Sequence, residues 1–194
     1  MIAGESDGNT ALSHDEQADL IPSLATKEEL NEFERENILA ARDWVMKART
    51  SARDIVSDEF VRRLHFKMFD QTWRWAGQYR ETNKNLGANF HEIAEKLAVL
   101  LGDVRLWIDN ATYPADELAV RFHHRLVAIH PFPNGNGRHA RLIADALLVR
   151  LGRPVLTWGQ SDLSRQCDVR ARYLQALQAA DEHDHKLLLA FARS

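Results

Sequence analysis

One cysteine, Cys167, cannot close an internal disulfide. That excludes the small secreted scaffolds held by cross-links and makes a reducing cytoplasm the expected setting. No run of the chain approaches the roughly 18 apolar residues of a membrane span. The opening "MIAGESDGNTALSHDEQ" has neither the basic nor the apolar region of a signal peptide. Charge of one sign is also missing. The formal net charge of −3 gives no global attraction to nucleic acid or to an anionic membrane, so neither is an expected partner. After residue 25 there is no repeat, linker or low-complexity tract.

What is present suits a globular domain. The 194 residues are 45% apolar and 27% charged, enough to bury one sizeable core. Residues 1–25 form a polar N-terminal tail, expected to lie loosely on the surface. Residues 26–52 carry a helix: Thr26 followed by Glu29 reads as a capping box, and Leu30, Phe33, Asn37, Ile38, Ala41 and Val45 keep helical spacing. Residues 53–194 form the core domain, beginning with a helix capped by Ser57. Helical patterns resume in "HEIAEKLAVLLGDVRLWID" and "PADELAVRFHHRLVAIH", then from about Arg138 to Leu151 and again toward the C-terminus. Between them, "RWAGQYRETNKNLGANF" has turn signals around short aromatic pieces and reads as a loop or short hairpin. The fold class is all-α with one hairpin-like interruption.

The chemistry concentrates in "HPFPNGNGRHAR", His130 to Arg141. Leu118, Phe122, Leu126 and Ile129 make an apolar stripe leading to His130, where Pro131 should end the helix. The partial negative charge of a helix C-terminus favours the imidazolium, making the ring a better proton acceptor. Phe132 is expected to turn into the core. The "NGNG" turn can point its amides inward as an anion-binding nest. Arg138, His139 and Arg141 then fall in the first turn of the next helix, where the macrodipole disfavours positive charge by about 0.3–1 kcal/mol each. A bound polyanion reverses that sign, because amides, dipole and guanidinium groups would converge on the same phosphates. A glycine loop with solvated arginines is the alternative.

These residues resemble the signature of the Fic (filamentation induced by cAMP) family, H-x-F-x-[D/E]-G-N-G-R-x-x-R. His130, Phe132, Gly135, Asn136, Gly137, Arg138 and Arg141 match it. "LHFKMFDQTWRWAGQYR" resembles the family segment ending in "WAGxYR", and "LLVRLGRPVLTW" its continuation, so the likeness runs from about Ser57 to the C-terminus. The length, N-terminal helix and motif spelling also resemble the Fic subgroup called mobile mystery protein B. The resemblance implies a Fic-type helical bundle with a short β-hairpin flap between Gly77 and Phe90. It further implies a protein adenylyltransferase, a nucleotidyltransferase moving AMP from ATP to a Ser, Thr or Tyr hydroxyl of a target protein.

In that reading His130 is the general base, and Gly135, Asn136 and Gly137 surround the phosphates. Arg138 and Arg141 hold the leaving pyrophosphate, while Phe132 is structural. The family usually has an acidic Mg²⁺ ligand where this chain has Asn134, which leaves Asn134 a weak Mg²⁺ candidate. Many Fic proteins are inhibited by a helix carrying [S/T]-x-x-x-E-[G/N]. Glu36 and Asn37 supply the ending, with Glu32 in place of Ser or Thr; the inhibitory reading puts Glu36 against Arg141. Against it stands a charged helix face with one buried Asn. Other reactions stay open: phosphotransfer, another nucleotide donor, de-AMPylation, or a non-catalytic nucleotide-binding protein of toxin–antitoxin type. The subgroup resemblance implies a separately encoded DNA-binding neighbour. Trp73 and Trp75 read as packing aromatics and Arg62 and Arg63 as a solvated face. His123, His124 and the "HDH" of 183–185 lack zinc-ligand spacing, and Cys167 reads as a buried thiol.

Overall fold

The computed structural model describes residues 12–159 and 166–194; residues 1–11 of the polar tail and the side chain of Cys167 lie outside them. Among the described residues the chain is all-α, with nine α-helices and one 3₁₀ turn at Phe90–Glu92. The helices are α1 (His14–Ala18), α2 (Lys27–Lys47), α3 (Ala52–Ile55), α4 (Asp58–Phe69), α5 (Ile93–Asp109), α6 (Ala115–Ile129), α7 (Asn136–Arg150), α8 (Gln166–Asp181) and α9 (Lys186–Arg193).

Local sequence accounts for most of the starts. Thr26 accepts from the Glu29 amide while the Glu29 carboxylate accepts from the Thr26 amide, the reciprocal pairing that satisfies two orphan donors. Ser57 caps α4 through the Phe60 amide. Asn37 then clamps α2 to the end of α4, thirty residues along the chain from Lys67. Its amide nitrogen donates to Lys67 O and Asp70 Oδ1, and its oxygen accepts from the Gln71 amide and the Thr72 hydroxyl. Asn37 therefore fastens the end of α4 to α2.

The pair α6–α7 is apolar on both sides. Phe122 and Leu126 with Ile143 and Leu147 face the main core, shared with Val61, Leu64, Met68 and Leu100. Ala119, Val120, Ala144 and Leu148 face a second cluster built by Ala176, Ala180, Leu188 and Phe191 of α8 and α9. Packing on both faces fixes the position of the short α6–α7 connection, and that connection is the segment His130–Gly135.

Two expectations change. Far from lying loose, the tail is bound to the core from Leu12 onward: Glu16 O accepts from Trp75 Nε1, Asp19 O from the Arg74 amide, and the Ile21 amide donates to Thr72 O. The second concerns the hairpin. Among the described residues the 77–90 segment forms no strand ladder, and only a single Leu20–Trp73 bridge occurs. Its amides look elsewhere, with Arg80 N bonded to Pro131 O and Ala88 N to Ile129 O. The segment is a loop stitched to the end of α6.

Replacing Asn37 with Leu keeps the volume but strands the Gln71 amide and the Lys67 carbonyl. Urea unfolding should show a loss of about 1–3 kcal/mol, whereas an unchanged midpoint would show that this clamp contributes nothing.

Candidate active site

His130 closes α6 in the left-handed region, with φ 55° and ψ 59°. The sequence expectation that the helix ends there holds, but the backbone is not extended as a residue before proline prefers. Such a conformation costs a non-glycine residue on the order of 1–3 kcal/mol and persists only where neighbours over-determine it. Here the neighbour is Arg80, which is buried. Its Nε donates to His130 O at 2.7 Å, its Nη1 to Thr82 O at 2.7 Å, and its Nη2 to Ala88 O. One guanidinium thus ties both limbs of the 80–88 loop to the carbonyl of His130. Gly87 presses on the same residue: a Cβ there would lie 2.4 Å from His130 Cβ.

The expected basicity of His130 is reversed. A bond to the Val127 carbonyl at the helix end does favour the protonated ring, yet burial and then the positive charge of Arg80 outweigh it and push the pKa down to about 4. Desolvation wins over the helix terminus. At neutral pH the imidazole is uncharged and able to accept a proton.

After His130 the chain enters a tight, internally bonded turn. The Phe132 amide donates to Asn136 Oδ1 at 2.9 Å and Asn136 Nδ2 donates to Phe132 O at 2.8 Å, so Asn136 fastens the turn to the start of α7. Phe132 is fully buried and stacks on His65 with ring centroids 3.7 Å apart. His65 accepts from the Gly77 amide at Nδ1 and therefore donates from Nε2 to Asn134 O at 3.1 Å. Gly135 has φ 76°, and a Cβ there would meet the Phe69 ring at 2.4 Å, so glycine is required twice over. From Gly135 the helix begins, and the amides of Asn136, Gly137 and Arg138 have no partner within α7.

The basic residues at this end of α7 separate, Arg138 and His139 on its first turn and Arg141 on its second. Arg138 extends to the surface of the site and donates to Glu34 Oε2 at 2.5 Å; the other Glu34 oxygen accepts from Trp73 Nε1 at 2.7 Å. His139 turns inward, fully buried, donating to Val61 O at 2.9 Å, and burial lowers its pKa to about 4. It adds no charge. Arg141 lies against the Tyr173 ring, with Cζ 5.5 Å from its centroid. Among the described residues Arg141 has no carboxylate within salt-bridge distance. The contact expected between Glu36 and Arg141 is not made: Glu36 is exposed on α2, and the carboxylate that enters the site is Glu34, on the first motif arginine. Positions two apart on a helix point to different sides, which is why the inward face carries Glu34 with Asn37 and not Glu36.

Asn134 is a poor fit for Mg²⁺. Its side-chain oxygen, a neutral amide, already accepts from the Gly135 amide at 2.5 Å. Among the described residues no three His, Cys, Asp or Glu gather to hold a metal ion. The donor set favours a site whose anion is neutralised by amides and guanidinium groups. Beside the 80–88 loop, a cleft of about 550 Å³ is lined by residues that include Gly87, Ala88, Val99, Arg125 and Ile129.

Sequence reasoning brought together His130, Phe132, Asn134, Gly135, Asn136, Gly137, Arg138 and Arg141, and in the structure they run from the end of α6 to the second turn of α7. It missed Glu34, His65, Arg80, Gly87 and Tyr173. His65 and Arg80 both stand inside the quoted "LHFKMFDQTWRWAGQYR", so a signal existed without a role attached.

Comparison with known proteins bears on the family and the fold. Residues 55–148 match the Fic/DOC family. The protein adenylyltransferase Fic of Drosophila grimshawi is 30% identical over 119 residues, 59% of this chain and 23% of that protein. Its counterpart in Culex quinquefasciatus is 32% identical over 119 residues, again 59% of this chain and 22% of the relative. The chain thus spans under a quarter of these relatives. Among solved structures, the N-terminal FIC domain of Bep8, a VirB-translocated effector of Bartonella sp. 1-1C, superposes with TM-score 0.70 at 15% identity, over 91% of this chain and 90% of that one. BepC of Bartonella tribocorum, solved with bound AMPPNP, gives 0.68 at 17% identity, over 93% and 97%. The fold is the all-α Fic fold. Among the described residues no helix is long and apolar enough to cross a membrane.

Burial also sets the acid stability. His130 and His139 are pushed down to about 4, His123 to about 3, and His65 well below its ordinary 6.5, burial being the first cause for each. Between 6.5 and these values the unfolded chain binds protons that the folded chain refuses. Stability is therefore complete above about pH 6.5 and falls as pH drops, each group adding a slope of up to about 1.4 kcal/mol per pH unit. Denaturant unfolding at pH 7.5, 6 and 5 should show a steep decline, and a flat profile would contradict the buried neutral rings.

Proposed function

We propose that this chain, whose residues 55–148 match the Fic/DOC family, transfers AMP from ATP to a hydroxyl side chain of a target protein. The observation that carries the reading is the short connection that sets His130, at the end of α6, directly before the start of α7, whose first amides have no partner within the helix, with Arg138 on its first turn and Arg141 on its second. The names of the adenylyltransferase relatives and the AMPPNP bound to BepC support the choice of nucleotide.

In this reaction the ring nitrogen of His130 not facing the Val127 carbonyl takes the proton of the target hydroxyl. The hydroxyl oxygen forms its bond to the α-phosphorus as the bond from that phosphorus to the β-bridging oxygen breaks, and pyrophosphate leaves. Amides of Asn136 and Gly137 stabilise the negative oxygens, with Arg138 and Arg141 on the departing group. The strained, over-bonded backbone at His130 fixes the base, so positioning contributes alongside charge. A cleft beside Gly87 and Ala88 borders this corner and would receive the target segment.

Glu34 is the internal brake in this reading. Its carboxylate holds the guanidinium of Arg138 where a phosphate would compete for it. The test is intact-mass measurement after incubation with ATP. Glu34→Gly should gain one AMP at a rate about tenfold or more above wild type, equivalent to removing some 1.4 kcal/mol of competition. Adding His130→Ala should abolish the gain, while Glu36→Gly should behave as wild type. Label from γ-labelled instead of α-labelled ATP would replace AMP transfer with phosphorylation.

Asn134 yields a separate expectation. Nucleotide affinity measured by calorimetry should change little between Mg²⁺ and EDTA in the wild type, and should become several-fold tighter with Mg²⁺ in Asn134→Asp. Equal Mg²⁺ dependence in both would mean that position 134 is not where the ion is felt.

A further inference from the structure

We propose that Tyr173 is a positioning residue for Arg141, holding its guanidinium toward the phosphates bound at the start of α7. The inference rests on the nucleotide reading above and adds a residue outside the motif. Three helices meet here. Tyr173 of α8 presents its ring to Arg141 of α7, and its hydroxyl lies 3.0 Å from Nε2 of His123 on α6. That hydroxyl also sits 3.8 Å from where a Cβ on Gly137 would stand, beside the first turn of α7. The ring is packed from behind by Phe191 at 5.5 Å between centroids, and His123 packs on Trp158 at 4.5 Å.

Arg141 needs such a support because, among the described residues, no carboxylate reaches it within salt-bridge distance. Asp145, one turn further along α7, accepts instead from the Leu156 amide and from Trp158 Nε1. Burial lowers the pKa of Arg141, with Tyr173 and Asp145 as the favourable influences. An aromatic face attracts a guanidinium without neutralising it, and the attraction grows where water is excluded. A carboxylate in that place would compete with phosphate, as Glu34 does at Arg138. Tyr173 keeps Arg141 in place and leaves its charge for the ligand. The His123 bond fixes the ring's own rotation: the buried, neutral imidazole exchanges a hydrogen bond with the phenol.

The test is a double-mutant cycle on the full chain, with ATP and AMP affinities measured by calorimetry. Tyr173→Leu should lower ATP affinity about tenfold, nearly as much as Arg141→Ala, and leave AMP affinity unchanged. Combined, the two changes should cost no more than Arg141→Ala alone. Tyr173→Phe keeps the ring and the packing, so it should retain most of the ATP preference and guards against a folding defect in the Leu variant. Additive losses, or full ATP affinity in Tyr173→Leu, would overturn the positioning role. An unchanged ATP-over-AMP preference in Arg141→Ala would instead overturn the phosphate assignment of Arg141, and the role of Tyr173 with it.

Discussion

The site depends on one guanidinium bound to three backbone carbonyls. Arg80 joins Thr82, Ala88 and His130 through main-chain oxygens, and each of those bonds replaces a strand or helix partner that the irregular backbone lacks. Burying a cation this way is expensive, and the loss of hydration shows in the lowered pKa of Arg80. In return, a left-handed histidine before a proline becomes the stable arrangement. The same charge discourages protonation of the His130 ring, so one side chain fixes both the geometry and the ionisation state of the base.

Around that corner the molecule sorts its cations by what compensates them. Arg80 has carbonyls, Arg138 has Glu34, and Arg141 has an aromatic face. Only the last two look onto the amide-rich start of α7. The difference between them is chemical: a carboxylate must be displaced by an incoming phosphate, whereas a π face need not be. The two arginines of the motif, three positions apart, would thus meet a polyanion from different starting states.

Local signals in the sequence were readable where the physics is local. The Thr26–Glu29 capping box, the Ser57 cap and the end of α6 at His130 follow from neighbouring residues alone. The glycine turn was readable because few backbones can make it. What failed needed tertiary information. Choosing Glu34 over Glu36 required knowing which face of α2 meets α7. Counting His139 among the cations required knowing that its ring turns inward to Val61 O. The basicity of His130 was judged from the helix end, a local effect, while desolvation by the whole fold decided it. The hairpin was inferred from turn residues, but Arg80 drew the carbonyls that a ladder would have used.

Glu34 and Arg138 are 104 positions apart in the chain, and their contact closes one of the longest loops in the molecule. Loop-closure entropy rises slowly with length, and the packing of α4 against both α2 and α7 brings the two ends together. During synthesis, Glu34 emerges long before its partner, and the pair can form only when α7 has docked. The acidic residue is therefore a record of completed folding: a molecule in which α2 has detached exposes Arg138, and one in which it is seated does not. Chain connectivity gives the arginine two environments without any hinge.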